Sequence, residues 1–299
     1  MTTKTTPIIQ SGPRADKKTI AAHTDLLKTA GATVIYTMGP KGGIGKSLTG
    51  RLVIDGAIAA EQQVRIVQID RAPTLPLLYP DKAITIEAPG VEEMRSDSLA
   101  AMRVFEPLEE MVLSIAKSEA VGVIDVGAGQ NQRAFLNFVA RARFDRFLVD
   151  QGVRSIAMVL MTADPSAMAQ SANLIGELQL VHPAAEIVPV LNLRDGGFKF
   201  LAGTPAHKIY NDRIAPLLKD RRRVTLPAIA AGAWPLFEAA GMTFTEAVMA
   251  DEAALIARLG MSRLMVTALQ GDVSEFLSVV WPRLGAIVGF TVGGFDAGR

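Results

Sequence analysis

The sequence predicts an α/β protein with a mostly parallel sheet of about seven strands flanked by helices. Three observations carry this expectation. Short β-branched apolar runs recur along the chain and alternate with stretches of helical periodicity, the pattern of a parallel sheet covered on both faces. The first run, residues 32–38, passes directly into a glycine-rich turn and then into a helical pattern over 46–60. No uninterrupted apolar run approaches the roughly 18 residues that a membrane-spanning helix needs, so the 49% of hydrophobic residues are expected to build a soluble core.

The elements follow in order. Residues 1–30 read as a tail and an accessory helix: Met1 to Lys18 is rich in Thr, Lys and Pro, and residues 15–30 carry Ile20, Leu26 and Leu27 at helical spacing before Gly31. Residues 31–260 form the main domain. A second strand, 64–70, ends in Asp70, and a loop punctuated by Pro73, Pro76 and Pro80 leads to an edge strand over 84–87 and a helix over 96–118. The third apolar run, 121–126, contains Asp125. Strands at 156–162, 187–192 and 224–226 then alternate with helices near 131–148, 166–180, 206–219 and 245–258. Residues 261–299 read as a C-terminal helical appendage, with Pro282 interrupting the helix.

Charge is nearly balanced, 31 basic residues against 30 acidic, so attraction to nucleic acid or lipid must come from a local patch. The densest basic cluster is Arg221, Arg222 and Arg223, beside Lys219. It reads either as a sequence-independent contact to DNA phosphates or as a helix C-terminus complementing its own dipole. No aromatic residue interleaves with it, which argues against stacking on single strands. With no cysteine there is no disulfide, thiolate metal site or Cys nucleophile, and the three histidines are scattered. The N-terminus has no apolar signal core, and a cytoplasmic location is expected.

Residues Gly39-Pro40-Lys41-Gly42-Gly43-Ile44-Gly45-Lys46-Ser47 fit the pattern G-x-x-x-x-G-K-[ST], with a strand before and a helix after. Glycines let the backbone turn its N–H groups inward as an anion nest, and the positive end of the next helix faces the same point. Phosphate suits such a cradle. Gly39, Lys41, Gly42, Gly43, Ile44, Gly45, Lys46, Ser47 and Leu48 are the expected binding set, with Lys46 on the β and γ phosphates and the Ser47 hydroxyl on Mg²⁺.

Lys41 adds something the generic pattern lacks. The string K-G-G-I-G-K-S resembles the deviant Walker A box of the ParA/MinD family of ATPases, and the resemblance extends over residues 32–250. It implies a P-loop ATPase fold for residues 31–260, with ATP and Mg²⁺ as cofactors. It implies that Lys41 reaches across an ATP-dependent homodimer to the partner's phosphates, that Asp125 is the Walker B aspartate, and that Gly127 and Gly129 lie in a loop sensing the γ-phosphate. Lys41, Lys46, Asp70 and Asp125 become the catalytic set, Ser47, Asp70 and Asp125 the metal set, and Asn192 the contact to the base. Residues 226–241 resemble the family's late strand, loop and helix.

The sequence departs from the family after the second strand, where Asp70-Arg71-Ala72-Pro73 replaces a D-x-D-P pattern. Ala72 stands where an aspartate orients the attacking water, so hydrolysis is expected to be slow. The resemblance implies a dimerisation switch that partitions or positions plasmid or chromosomal DNA or other cargo, nucleoid-associated, with a small DNA-binding or adaptor partner. Alternatives stay open: a weakly or non-hydrolysing adaptor of a conjugation or secretion machine, a MinD-like membrane-associated ATPase using residues 276–290 with Trp281 and Arg283 at the lipid interface, a P-loop kinase of a small metabolite, and a metal- or electron-delivery ATPase, of which the absence of cysteine disfavours any cluster-bearing version. The segment 276–290 lacks the lysine-rich polar face of membrane-binding helices.

Overall fold

In a computed structural model, residues 31–71, 73–230 and 232–292 are described. The expected tail and accessory helix of 1–30, and Ala72, lie outside them. Seven parallel strands form one sheet in the order β3-β2-β4-β1-β5-β6-β7. They are β1 (Thr33–Met38), β2 (Val64–Ile69), β3 (Ala83–Ile86), β4 (Val121–Val126), β5 (Arg154–Met161), β6 (Glu186–Asn192) and β7 (Val224–Leu226). The expected edge strand is β3, at one margin of the sheet.

Helices cover both faces, which is why the central strands are mostly apolar. Every residue of β1 and β4 is buried. Side chains alternate across the sheet: Ile35 joins one core cluster, while Val34, Tyr36 and Met38 join the other. The first cluster takes in helices Lys46–Ala59, Ala233–Ala239 and Phe244–Met249; the second takes in Pro107–Ser118, Gln130–Ala142 and Pro165–Val181.

Several expectations need correction: the helices expected near 131–148 and 245–258 each divide in two, into Gln130–Ala142 and Phe144–Asp150 and into Phe244–Met249 and Glu252–Leu259. The helix expected over 96–118 is two, Ser98–Arg103 and Pro107–Ser118, because Asp97 starts one by accepting the N–H groups of Leu99 and Ala100, and Pro107 opens the other. Pro282 does not interrupt the C-terminal helix, which runs unbroken over Arg263–Val288. Pro282 faces solvent, while Leu277, Val280, Trp281 and Leu284 are buried around it, and that packing outweighs the ~3 kcal/mol that a proline costs inside a helix through its lost hydrogen bond and ring clash. The segment read as an appendage is also part of the main core. Trp281 donates from Nε1 to the Leu52 carbonyl at 3.0 Å, and a Cβ at Gly56 would stand 2.6 Å from the Phe290 ring, so the two helices need glycine there to close.

Because the sheet is parallel, the C-terminal ends of its strands share one edge. The glycine loop, Asp70, the end of β4, residues 162–164 and Asn192 all lie on that edge. Arg221, Arg222 and Arg223 precede β7 and lie at the opposite one.

Candidate phosphate-binding site

The loop between β1 and helix Lys46–Ala59 holds two residues in left-handed backbone, Gly43 (φ 74°) and Gly45 (φ 99°). A side chain at Gly45 would also meet Asn192 Nδ2 at 2.5 Å, so glycine is required there twice over. The helix begins with no side-chain cap, and its first backbone bond is Thr49 N–H to the Gly45 carbonyl at 2.9 Å. The amides before it point out of the helix with its positive end.

Lys46 is buried against this end, its ammonium donating to the Lys41 carbonyl at 3.0 Å. Burial pushes it below the ordinary lysine range, while the charges of Asp125 and Asp70 pull it back up. A desolvated ammonium bonded to a neutral carbonyl stands to gain from an anion.

Asp125 is buried at the end of β4 and receives three donors. Ser47 Oγ donates to Oδ2 at 2.7 Å, Thr37 Oγ1 to Oδ1 at 2.7 Å, and Gln68 Nε2 to Oδ2 at 3.2 Å. Burial raises its pKa above the usual carboxylate range, opposed by those bonds and by Lys46. The structure therefore brings Ser47, Lys46 and Asp125 together. Asp70, just past β2, accepts the Arg71 amide at 2.7 Å and Asn131 Nδ2 at 3.5 Å, close to Gly127.

Lys41 points away from this cluster and pairs with Asp164 at 2.9 Å; both side chains are well exposed. Asp164 also caps helix Pro165–Val181 through the Ala167 amide at 2.7 Å. The Lys41 and Ala167 bonds hold its carboxylate below the usual range. A cleft of about 560 Å³ opens here, between residues 41–44, 162–164 and 194–195. Asn192 is buried under the loop, donating to the Ile44 carbonyl at 3.0 Å and accepting the Arg194 amide at 3.1 Å. Arg194 Nη1 reaches the Gly43 carbonyl at 2.6 Å. Leu48 is half-buried against the core.

The three arginines are engaged with their own chain. Arg222 grips Glu186 with two bonds of 2.6 Å, while Arg221 and Arg223 donate to the Leu217 and Leu218 carbonyls at 3.0 and 3.2 Å. Partial burial alone would raise the Glu186 pKa, but bonds from Arg222 and Arg154 outweigh it and hold the carboxylate low.

Sequence reasoning passed over Thr37, Gln68, Asp164 and Arg194. Thr37 and Gln68 did carry a signal, since a polar residue inside a strand buried on both faces must find partners.

A Mg²⁺-nucleotide fits the residues present. The loop would crowd a Cβ at Gly39 and at Gly45, the helix start lacks a side-chain cap, and a buried ammonium stands beside a hydroxyl and carboxylate of the kind that hold a hard cation. Among the described residues no helix is long and apolar enough to cross a membrane. No family model matches the chain, and no curated protein matches it. Among solved structures the chain is similar to a plasmid partition protein from Borrelia burgdorferi, at 11% identity and a TM-score of 0.38, over 67% of this chain and 90% of that one.

Proposed function

We propose that the chain binds ATP with Mg²⁺ on residues 39–48, hydrolyses it slowly, and works as an ATP-dependent homodimeric switch. The observation that carries the reading is the Ser47–Asp125 bond of 2.7 Å beside the buried Lys46, at a helix start with no side-chain cap. Lys46 gives up the Lys41 carbonyl for a phosphate oxygen. Loop amides line the phosphates, and Asn192 and Arg194 keep the loop in shape. Ser47 and Asp125, with Asp70 nearby, would hold the Mg²⁺, which when bound neutralises phosphate charge. Lys41 leaves Asp164 to reach the partner's nucleotide across the dimer. In the sequence Ala72 offers a methyl group that neither orients nor deprotonates water, which supports slow turnover.

The same reading has the switch act in the cytoplasm on plasmid or chromosomal DNA or another cargo, with a small DNA-binding or adaptor partner. Arg221 and Arg223 supply the DNA contact more readily than Arg222, whose charge Glu186 already neutralises. Ala72 also favours a second reading, a nucleotide-dependent adaptor that does not hydrolyse. Titration with a fluorescent ATP analogue, with and without Mg²⁺, tests the binding, and steady-state phosphate release separates the two readings. Wild type should bind and Lys46→Ala should not. Equal binding by both overturns the site.

A further inference from the structure

Gln68 is a costly residue for its position. It is 2% exposed in β2, between Val67 and Ile69, where both faces of the sheet are apolar. A buried amide persists in such a strand only if its polar atoms are paired, and here both ends are. Nε2 donates to Asp125 Oδ2 at 3.2 Å. Oε1 accepts two amides of the next loop, Thr74 N–H at 2.7 Å and Leu75 N–H at 2.9 Å. Those amides start helix Leu75–Leu78, which has no side-chain cap of its own, so Gln68 does the capping from the strand.

One oxygen is thus shared. Asp125 Oδ2 takes the Ser47 hydroxyl and the Gln68 amide together, so whatever recruits that hydroxyl leaves Gln68 as the remaining side-chain donor on it. A charged acceptor that loses one donor tightens on the other, and chained bonds polarise one another. The far end of the same amide grips the loop that begins at Asp70. We infer that Gln68 is a positioning residue that couples occupancy of the Ser47–Asp125 pair to the start of helix Leu75–Leu78, at the Thr74 and Leu75 amides. The inference rests on the phosphate-site reading and adds a route by which the site governs that helix start.

The test is amide hydrogen exchange on the full chain, free, with a non-hydrolysable ATP analogue and Mg²⁺, and with the analogue and a chelator. Wild type is compared with Gln68→Met, close in volume, and with Gln68→Leu, each checked for fold by circular dichroism. In wild type, exchange at Thr74 and Leu75 should change with the analogue only when Mg²⁺ is present. In the variants those two amides should exchange roughly two- to tenfold faster in the free protein, the loss of one hydrogen bond's net worth. They should also stop responding to Mg²⁺, although residues 42–48 remain protected by the analogue. A merely structural glutamine would give the first effect without the second.

Variants that keep the Mg²⁺ response overturn the coupling, as does a wild type protected at 42–48 and silent at 74–75. The second outcome needs no variant, so it decides the matter even if both substitutions fail to fold. Absence of protection at 42–48 in wild type is a different failure: it removes the nucleotide reading and the coupling with it.

Discussion

Two buried titratable groups on opposite faces of the sheet should nearly cancel in the pH dependence of stability. His182 is 1% exposed, bonded through Nε2 to the Tyr36 hydroxyl at 3.2 Å, and its Nδ1 has no partner among the described residues. Burial pushes its pKa down to about 4, against a small pull upward from Asp145. The unfolded chain, near 6.5, therefore takes up the proton first on acidification, and stability is present above pH 6.5 and lost as pH falls toward 4. Asp55 has the opposite sign. Burial raises it to about 6, although Tyr79 donates to it at 2.8 Å and the Phe244 amide at 2.6 Å. The folded state takes up this proton first, so stability rises as pH falls from 6 toward 3.8. Between pH 7 and pH 5, linkage gives a loss of about 2 kcal/mol from His182 and a gain of about 1 kcal/mol from Asp55. The residues sit in separate packing clusters, so the effects should add. Urea unfolding at pH 7, 6 and 5 should be nearly flat for wild type. It should fall by about 2 kcal/mol toward pH 5 for Asp55→Asn and rise by about 1 kcal/mol for His182→Phe. Parallel pH profiles for the three proteins would refute the reasoning.

Four further outcomes are expected. Lys46→Ala should abolish binding of the ATP analogue, whereas Lys41→Ala should bind it and fail to dimerise; sedimentation velocity with a slowly hydrolysed analogue separates them. Asp164→Asn keeps an acceptor for the Ala167 amide and removes the charge that holds Lys41, and since an exposed pair is worth about 1 kcal/mol or less and each of the two protomers loses one, the ATP dimer should strengthen by no more than about thirtyfold. An unchanged or weaker dimer counts against Lys41 acting in trans. Arg222→Ala should lower the melting temperature by loosening β6 from the turn before β7, while Arg221→Ala and Arg223→Ala should weaken any DNA binding in a salt-dependent gel shift. Ala72→Asp should raise single-turnover hydrolysis without tightening ATP binding, and a neutral effect would show that another group positions the water.

How much of this was legible in the sequence depended on the range of the interaction. The strands and the glycine loop were readable because their signals are local: an apolar run, a turn of glycines, a helical period. Ser47 and Asp125 were joined in one site by the family resemblance, and the parallel strands bring their C-terminal ends together there. The bracing of that loop was not readable. Asn192 meets the Ile44 carbonyl across 148 residues, and Lys41 meets Asp164 across 123, with no periodic pattern to announce either. Arg222 read as a candidate DNA contact because sequence shows its two arginine neighbours and hides Glu186, 36 residues away. Pro282 misled for the opposite reason: the local rule is sound, and burial of the residues around it overrode the rule.

The polar residues inside the sheet carry the remaining lesson. In strands buried on both faces, apolar side chains are what the fold requires and say little about function. Thr37 and Gln68 cost the core something, so each marks a place where another demand was met. Both turn out to donate to Asp125, the carboxylate that also takes the Ser47 hydroxyl. A carboxylate wrapped by three donors is held in one orientation before any ligand arrives, and that fixed orientation would suit a hard cation held by Ser47 and Asp125. Two of the polar residues in these buried strands are therefore the ones that hold the Asp125 carboxylate in place beside the glycine loop.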